Sequence, residues 1–274
     1  MGRGLSVADT VRLVKRLALT VLVTLAVGYL VICGLLFFAQ RKILFPAPTQ
    51  LAAVREGMER VEIPGGTFLL WKNVKGGGPV VVHFHGNGEQ VGSLSWLAEA
   101  WAERGVSFAA IEYPGYPGAA GAPSEDSIIE ASEAALTHLT GAMKIDRSRL
   151  VLEGQSIGTG VAMNLAAKDW GTKLILLSPY TSLPAVAAKA FPWLPTGMLM
   201  RDRFDSASRA AGIKVPTWIV HGTADAVIPL ELGQSLSKSI AGATFLEVTG
   251  AGHNDLWDRE STQEAIFTFV TARR

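Results

Sequence analysis

Ser156 lies in a stretch that combines a nucleophilic side chain with a sharp turn. It is the centre of Gly154-Gln155-Ser156-Ile157-Gly158, which follows an apolar run and precedes residues that suit a helix. A strand that turns this abruptly into a helix needs glycine on both sides of the serine, because a side chain there would collide with neighbouring strands. With 29 glycines in 274 residues, the pattern alone also fits a glycine-rich helix start. Its meaning therefore depends on partners elsewhere in the chain.

Asp225 and His253 are the partner types that a serine nucleophile needs. A serine hydroxyl attacks a carbonyl when a neutral imidazole takes its proton and a carboxylate orients that imidazole. Each of the three residues follows an apolar, strand-like run, and the carboxyl ends of parallel strands meet at one edge of a sheet. Glu153 is an alternative acid, but it precedes Ser156 on the same strand and could not readily reach the far side of the histidine. We therefore predict a catalytic triad of Ser156, His253 and Asp225, against the alternative of ordinary loop residues.

The loop His85-Gly86-Asn87-Gly88 is the candidate for stabilising negative charge on the substrate. Its glycines let the backbone approach a ligand closely. We predict that the backbone N–H groups of Ile157 and Asn87 bind the oxyanion, with Gly88 as the alternative to Asn87. His83 and His85 are two residues apart and would share a strand face, but no third metal ligand lies nearby in sequence. No metal site and no cofactor is predicted.

The elements that position these residues alternate along the chain. Strand-like runs cover 61–63, 67–73, 79–84, 106–112, 150–153, 173–177, 217–220 and 244–248, and the first two read as a hairpin at a sheet edge. Helix-like stretches cover 93–104, 126–140, 157–168, 230–239 and 262–272. This alternation predicts an α/β fold, with a mostly parallel sheet and helices on both faces.

Residues 17–39 carry no charge and would rise about 35 Å as a helix, enough to cross a bilayer core. A cleaved signal peptide and a buried core helix are the alternatives. Four basic residues precede the run and two follow it, which favours a cytoplasmic N-terminus and an extracytoplasmic catalytic domain in a single-pass membrane protein. The predicted organisation is a tail and transmembrane anchor at 1–42, a linker at 43–50 and a hydrolase domain at 51–274.

Charge excludes one class of partner. Residues 1–42 hold six of the 25 basic side chains, so the rest of the chain has a formal charge of −4. No basic stripe remains that could bind nucleic acid. The single cysteine, Cys33, allows no intrachain disulfide.

The chain resembles the membrane-anchored serine hydrolases of the α/β-hydrolase superfamily, the group with α/β-hydrolase-domain depalmitoylases and serine aminopeptidase-like proteins. The resemblance covers nearly the whole chain from Gln40 and rests on six motifs: His85-Gly86-Asn87-Gly88, Tyr113-Pro114-Gly115-Tyr116, Gly154–Gly158, Arg203-Phe204-Asp205-Ser206, His221–Asp225 and Gly250–Asp255. It implies hydrolysis through Ser156, Asp225 and His253 without a cofactor, on no single substrate. The loop 114–123 departs from the usual form, so no substrate contact is carried over for it.

The insertion 179–212 gives the only internal indication of a substrate class. It is rich in large apolar side chains: Leu183, Val186, Phe191, Trp193, Leu194, Met198, Leu199 and Met200. One interpretation is a short apolar cap whose Phe191, Trp193 and Leu194 bind an acyl chain. The other is that these residues simply pack on the core.

The expected function is hydrolysis of carboxylic esters or thioesters with apolar acyl groups. The substrate would be a small molecule or lipid, or alternatively an acylated protein. A serine aminopeptidase or amidase is a second candidate, although the sequence identifies no acidic pocket for a substrate ammonium group. A membrane-tethered binding or scaffold protein without catalysis is a third.

Overall fold

The computed structural model describes residues 6–272, and the chain divides into two compact units after Gln40. Helix α1, Val7–Leu44, accounts for the described part of the first unit. Its 38 residues correspond to about 57 Å of helix, and its most apolar 18-residue window has a mean hydropathy of 2.6. Among residues 6–272, one helix is therefore long and apolar enough to span a membrane.

The second unit is built on an eight-stranded sheet, as the alternating pattern predicts. The strands are Glu59–Ile63 (β1), Thr67–Lys72 (β2), Val80–Phe84 (β3), Ser107–Ile111 (β4), Leu150–Gln155 (β5), Lys173–Leu177 (β6), Thr217–Gly222 (β7) and Thr244–Val248 (β8). Their order is β1-β2-β4-β3-β5-β6-β7-β8. Strands β3 to β8 are parallel, while β1 and β2 form an antiparallel hairpin at one edge. The predicted mostly parallel sheet and its edge hairpin are confirmed.

Helices cover both faces of the sheet. Those of the second unit are Ser95–Glu103 (α2), Glu125–Gly141 (α3), Ile157–Ala167 (α4), Leu183–Ala190 (α5), Thr196–Leu199 (α6), Ser206–Arg209 (α7), Leu230–Ser239 (α8) and Glu260–Thr271 (α9). Apolar residues of α3, α4 and α8 share one buried core, and those of α2 and α9 share the other. Successive side chains of β3 point to opposite faces of the sheet. Val80 and Val82 therefore belong to the first core and Val81 to the second.

Two strands extend further than their apolar runs indicate. Strand β5 continues to Gln155, which pairs with Leu177 of β6, and β7 continues to Gly222, which pairs with Val248 of β8. Pairing with a neighbouring strand stabilises these polar and glycine residues in extended form, although their own propensity for it is low. Both strands therefore carry the chain to the edge where the candidate site lies.

The segment 43–50, predicted as a linker, begins differently in the structure. Helix α1 continues through Leu44, and the side chain of Phe45 is buried in the core that contains α3 and α4. Burial of a large aromatic side chain lowers the free energy more than its exposure in a linker would. The limits of the anchor, linker and hydrolase domain otherwise stay predictions.

The insertion 179–212 folds into α5, α6 and α7, and its apolar residues divide into two groups. Leu183 is buried in the core, and Val186 and Met200 pack against that core. In contrast, Phe191 is 49% exposed and Trp193 54% exposed. Packing on the core therefore accounts for part of this segment, and the acyl-binding cap stays a prediction for the rest.

Candidate active site

Ser156 occupies the turn between β5 and α4 in a conformation that non-glycine residues rarely adopt. Its φ is 52° and its ψ is −121°, and its N–H donates to Leu177 O at 2.9 Å. A Cβ at position 154 would lie 2.5 Å from Gly158 O, and one at position 158 would overlap Phe84 O. Both glycines are therefore required by the tightness of the turn. Strain of this kind, about 1–3 kcal/mol, persists where the surrounding structure enforces it.

The structure brings Ser156, His253 and Asp225 together in one chain of hydrogen bonds. His253 Nε2 lies 2.9 Å from Ser156 Oγ, and His253 Nδ1 lies 2.8 Å from Asp225 Oδ2. Because a carboxylate only accepts, the Nδ1 atom carries the proton and Nε2 is left to accept the serine proton. The Asp225 side chain is fully buried and that of His253 is nearly so. This arrangement can activate the serine hydroxyl as a nucleophile.

Four groups hold the Asp225 carboxylate in place. Its Oδ1 accepts from the N–H groups of Val227 and Ile228 at 2.9 and 2.8 Å, and its Oδ2 faces His253 and, at 3.4 Å, His221 Nε2. Burial raises the pKa of Asp225, but the hydrogen bonds from His221, His253 and Ile228 outweigh it and bring this pKa well below the usual range. Asp225 is therefore an ionised partner for the imidazole.

The residues predicted to bind the oxyanion are Ile157 and Asn87. Ile157 is the first residue of α4, whose N-terminus favours negative charge. A Cβ added to Gly86 would lie 3.5 Å from Ser156 Cβ, so the loop that contains Gly86 and Asn87 passes close to Ser156. Within residues 6–272, neither the Ile157 N–H nor the Asn87 N–H donates a hydrogen bond. Both N–H groups are therefore unpaired among the described residues, and their role as oxyanion donors stays a prediction.

A family with the description "Serine aminopeptidase, S33" matches residues 78–201 by its sequence model. That range contains the Gly86 loop and Ser156 and ends before Asp225 and His253. The chain is also 32% identical over 262 residues to the uncharacterized protein Rv2307c of Mycobacterium tuberculosis, which covers 90% of this chain and 93% of that protein.

A further relative decides the family. The chain is 30% identical over 189 residues to the putative alpha/beta hydrolase L404 of Acanthamoeba polyphaga mimivirus, which covers 67% of this chain and 70% of that protein. The chain belongs to the α/β-hydrolase family. In fold, this hydrolase is similar to the Pyrococcus furiosus esterase Pf2001, with a TM-score of 0.67 at 16% identity over 81% of this chain and 97% of that one.

A cavity of about 370 Å³ is lined by residues from the loop after β3 and by the sequence neighbours of Ser156 and His253. Its wall combines side-chain amides, two carboxylates and two indoles: Asn87, Gln155, Asn254, Glu89, Asp258, Trp96 and Trp257, with Gly88. Gln155 and Asn254 are the sequence neighbours of Ser156 and His253, which do not line the cavity themselves. The wall contains polar and aromatic groups but no basic residue, which favours a polar or cationic part of a substrate.

The three residues predicted to bind an acyl chain lie elsewhere. Phe191 and Trp193 are about half exposed, Leu194 is half-buried, and none of them lines the cavity beside Asn87. Their contact with substrate stays a prediction.

Two buried histidine–glutamate pairs were not predicted from the sequence. His83 Nδ1 lies 3.0 Å from Glu153 Oε1, and His85 Nε2 lies 3.1 Å from Glu112 Oε1, with all four side chains fully buried. The two histidines therefore do not share one face, because β3 ends at Phe84 and the alternation stops there. Glu153, the alternative acid, is paired with His83. A glutamate in an otherwise apolar strand is the signal that could have indicated these pairs.

Proposed function

We propose that the protein is a serine hydrolase that cleaves carboxylic ester or thioester bonds of apolar acyl substrates. The observation that carries the proposal is the continuous path of hydrogen bonds from Asp225 through His253 to Ser156. Membership of the α/β-hydrolase family supports it, because the chain order serine, acid, histidine is the one that this fold uses.

In the proposed mechanism, Ser156 Oγ attacks the carbonyl carbon while His253 Nε2 accepts the hydroxyl proton. The N–H groups of Ile157 and Asn87 bind the oxyanion of the tetrahedral intermediate. His253 then protonates the leaving alcohol or thiol as the bond to it breaks, which leaves an acyl group on Ser156. Water attacks this acyl-enzyme with His253 again as base, and the acid is released. Asp225 stays ionised throughout and stabilises the imidazolium.

One feature of the insertion 179–212 supports an apolar acyl group. Phe191 and Trp193 expose large apolar surfaces on the insertion 179–212, and such surfaces on a soluble unit commonly contact a ligand or a lipid. Turnover of p-nitrophenyl esters from acetate to decanoate tests this part of the proposal. A preference for decanoate supports an apolar acyl site, whereas turnover of acetate alone contradicts it.

We further propose that helix α1 anchors the enzyme in a membrane with its N-terminus in the cytoplasm. Its length and hydropathy support a span, and the basic residues Arg12, Lys15 and Arg16 precede the apolar core of the helix. Proteolysis of sealed vesicles tests the orientation. A hydrolase unit that is degraded only when added protease reaches the extracytoplasmic side supports it, and degradation from the cytoplasmic side contradicts it.

Labelling with a fluorophosphonate probe tests the proposed nucleophile. The full chain in detergent is expected to take one label, and Ser156→Ala is expected to take none. A matched control is Ser148→Ala, since Ser148 lies in the 3₁₀ turn Arg147–Arg149 before the first residue of β5, whereas Ser156 follows the last residue of that strand. If the folded wild-type protein takes no label, the proposal is wrong and a membrane-tethered binding function is favoured.

An aminopeptidase is the second candidate, because two observations favour it. The matching family carries that description, and the cavity lined by Gln155 and Asn254 presents the carboxylates of Glu89 and Asp258 with two indole rings, groups that suit a substrate ammonium. Aminoacyl anilides separate the candidates: turnover that falls in Asp258→Asn while ester turnover is kept would favour the aminopeptidase.

A further inference from the structure

The loop beside Ser156 contains two consecutive peptide units, and three of their four polar groups are fixed. In the first unit, His85 O accepts from Tyr113 Oη at 2.8 Å and the Gly86 N–H donates to Glu89 Oε2 at 2.8 Å. In the second unit, Gly86 O accepts from His85 Nδ1 at 2.8 Å. The fourth group, the Asn87 N–H, has no partner within residues 6–272.

The bond from His85 determines where the Asn87 N–H points. Gly86 C=O and the Asn87 N–H belong to the same peptide plane, and the described chain contains no cis peptide bond. In a trans peptide the C=O and N–H point in opposite directions. Because the His85 ring fixes the carbonyl on its own side, the N–H is directed away from that ring.

The ring that makes this bond is itself held firmly. His85 is fully buried and stacks on the Tyr113 ring at a centroid distance of 3.8 Å. Its Nδ1 faces the Gly86 carbonyl, which only accepts, so Nδ1 carries a proton and donates it to this bond. Its Nε2 lies 3.1 Å from Glu112 Oε1 on the other side of the ring.

We propose that His85 is a positioning residue for the oxyanion hole, in which its Nδ1–H locks the Gly86–Asn87 peptide plane with the Asn87 N–H available to the substrate oxyanion. This inference rests on the proposed hydrolysis at Ser156. Glu112, which follows β4, lies on the far side of the ring and also accepts from the N–H groups of Val91 and Tyr113. The His85 ring is therefore connected through Glu112 to the end of β4 and to the 3₁₀ turn Val91–Leu94. The same arrangement favours Asn87 over Gly88 as the second donor.

Two substitutions at position 85 separate positioning from general stability. In His85→Asn the side-chain amide can reach the place of Nδ1 and donate to Gly86 O, but it loses Glu112. In His85→Gln the amide reaches the place of Nε2 and keeps Glu112, but it loses Gly86 O. Each variant therefore loses one hydrogen bond of a buried side chain, and only the second releases the peptide plane.

The experiment measures kcat and KM on an acyl ester, thermal unfolding, and inhibition by an alkyl trifluoromethyl ketone, whose adduct with serine carries an oxyanion. For His85→Gln we expect kcat and ketone affinity to fall about 100-fold with KM nearly unchanged, as for loss of one oxyanion donor. His85→Asn is expected to retain most of the wild-type kcat. The matched control His83→Gln disturbs the other buried histidine–glutamate pair, which does not contact the loop, and is expected to lower thermal stability without this change in ketone affinity.

Equal loss of kcat in the Asn and Gln variants, in step with their loss of thermal stability, would overturn the positioning role. So would an unchanged ketone affinity in His85→Gln. A wild-type protein that neither takes a fluorophosphonate label nor turns over the ester would instead overturn the proposed hydrolysis, so the two failures are distinguishable.

Discussion

His253 Nε2 lies 2.9 Å from Ser156 Oγ, although 97 residues separate the two in the chain. They meet because β5 and β8 are parallel members of one sheet and the chain leaves both strands at the same edge. Asp225 joins them from the end of β7, the strand that pairs with β8. Sheet topology, rather than proximity in sequence, therefore assembles the site.

Asp225→Asn tests the carboxylate of this set. The neutral amide cannot stabilise the imidazolium and can favour the wrong tautomer of His253, so we expect kcat to fall about 10⁴-fold. The substitution should also change the pH dependence of stability. The pKa of Asp225 is lowered by folding, so its carboxylate contributes stability above about pH 4 that is lost as the pH falls below the unfolded-state pKa.

Thermal unfolding of both proteins between pH 7 and pH 3 provides the measurement. The wild-type protein is expected to lose more stability over this range than Asp225→Asn. Asp205→Asn is a matched control, because Asp205 caps α7 by accepting from Ser208 N and is not part of the triad. Parallel unfolding curves for the wild type and Asp225→Asn would contradict the lowered pKa.

The strands that carry the site could be predicted because they are runs of large apolar residues covered on both faces. Val80–Phe84 and Lys173–Leu177 are buried along their whole length, so their sequences show the pattern of parallel strands. The ends of β5 and β7 could not be predicted in this way. Gln155 and Gly222 are extended because a neighbouring strand pairs with them, which is a tertiary effect.

The two buried histidine–glutamate pairs are the part of the structure that the sequence does not predict. His83 and His85 are two residues apart, which in a continuous strand places them on one face. Since β3 ends between them, His83 turns to Glu153 and His85 to Glu112. Their partners lie on β5 and at the end of β4, and only the strand order β4-β3-β5 brings these positions together.

Replacement of Ser156 by glycine and by alanine should have different effects on stability. Both variants remove the nucleophile and are expected to be inactive. At a φ of 52°, however, glycine relieves backbone strain that alanine keeps, so we expect Ser156→Gly to be more stable than Ser156→Ala by about 1 kcal/mol. Chemical denaturation of the two variants measures the difference. Equal stability would mean that the turn is not strained.

Gly158→Ala should damage the fold itself. The added methyl group would overlap Phe84 O and lie 2.6 Å from Phe84 C and 2.8 Å from His85 O. These are backbone atoms of β3 and the loop after it, which cannot move aside as a flexible side chain could. We expect a loss of at least about 3 kcal/mol in the free energy of unfolding, or no folded protein.

The matched control for this substitution is Gly141→Ala. Gly141 ends α3, and a Cβ there would meet no atom within 4 Å, so alanine is expected to raise stability by about 0.5–1 kcal/mol. If Gly158→Ala unfolds at the wild-type temperature, the close contact between α4 and β3 is wrong.

Trp193→Ala tests whether the exposed part of the insertion 179–212 binds the acyl chain. Trp193 is 54% exposed, so its removal is expected to cost less stability than the removal of a core side chain. If its indole covers a long acyl chain, KM for a decanoate ester should rise about 10-fold, equivalent to about 1.4 kcal/mol of lost contact. KM for acetate should not change, because a two-carbon acyl group does not extend beyond the site.

Leu183→Ala is the control from the same segment: Leu183 is buried in the core, so its loss should cost about 2–5 kcal/mol of stability and leave the ratio of decanoate to acetate turnover unchanged. An unchanged ratio in Trp193→Ala itself would exclude Trp193 from the acyl site.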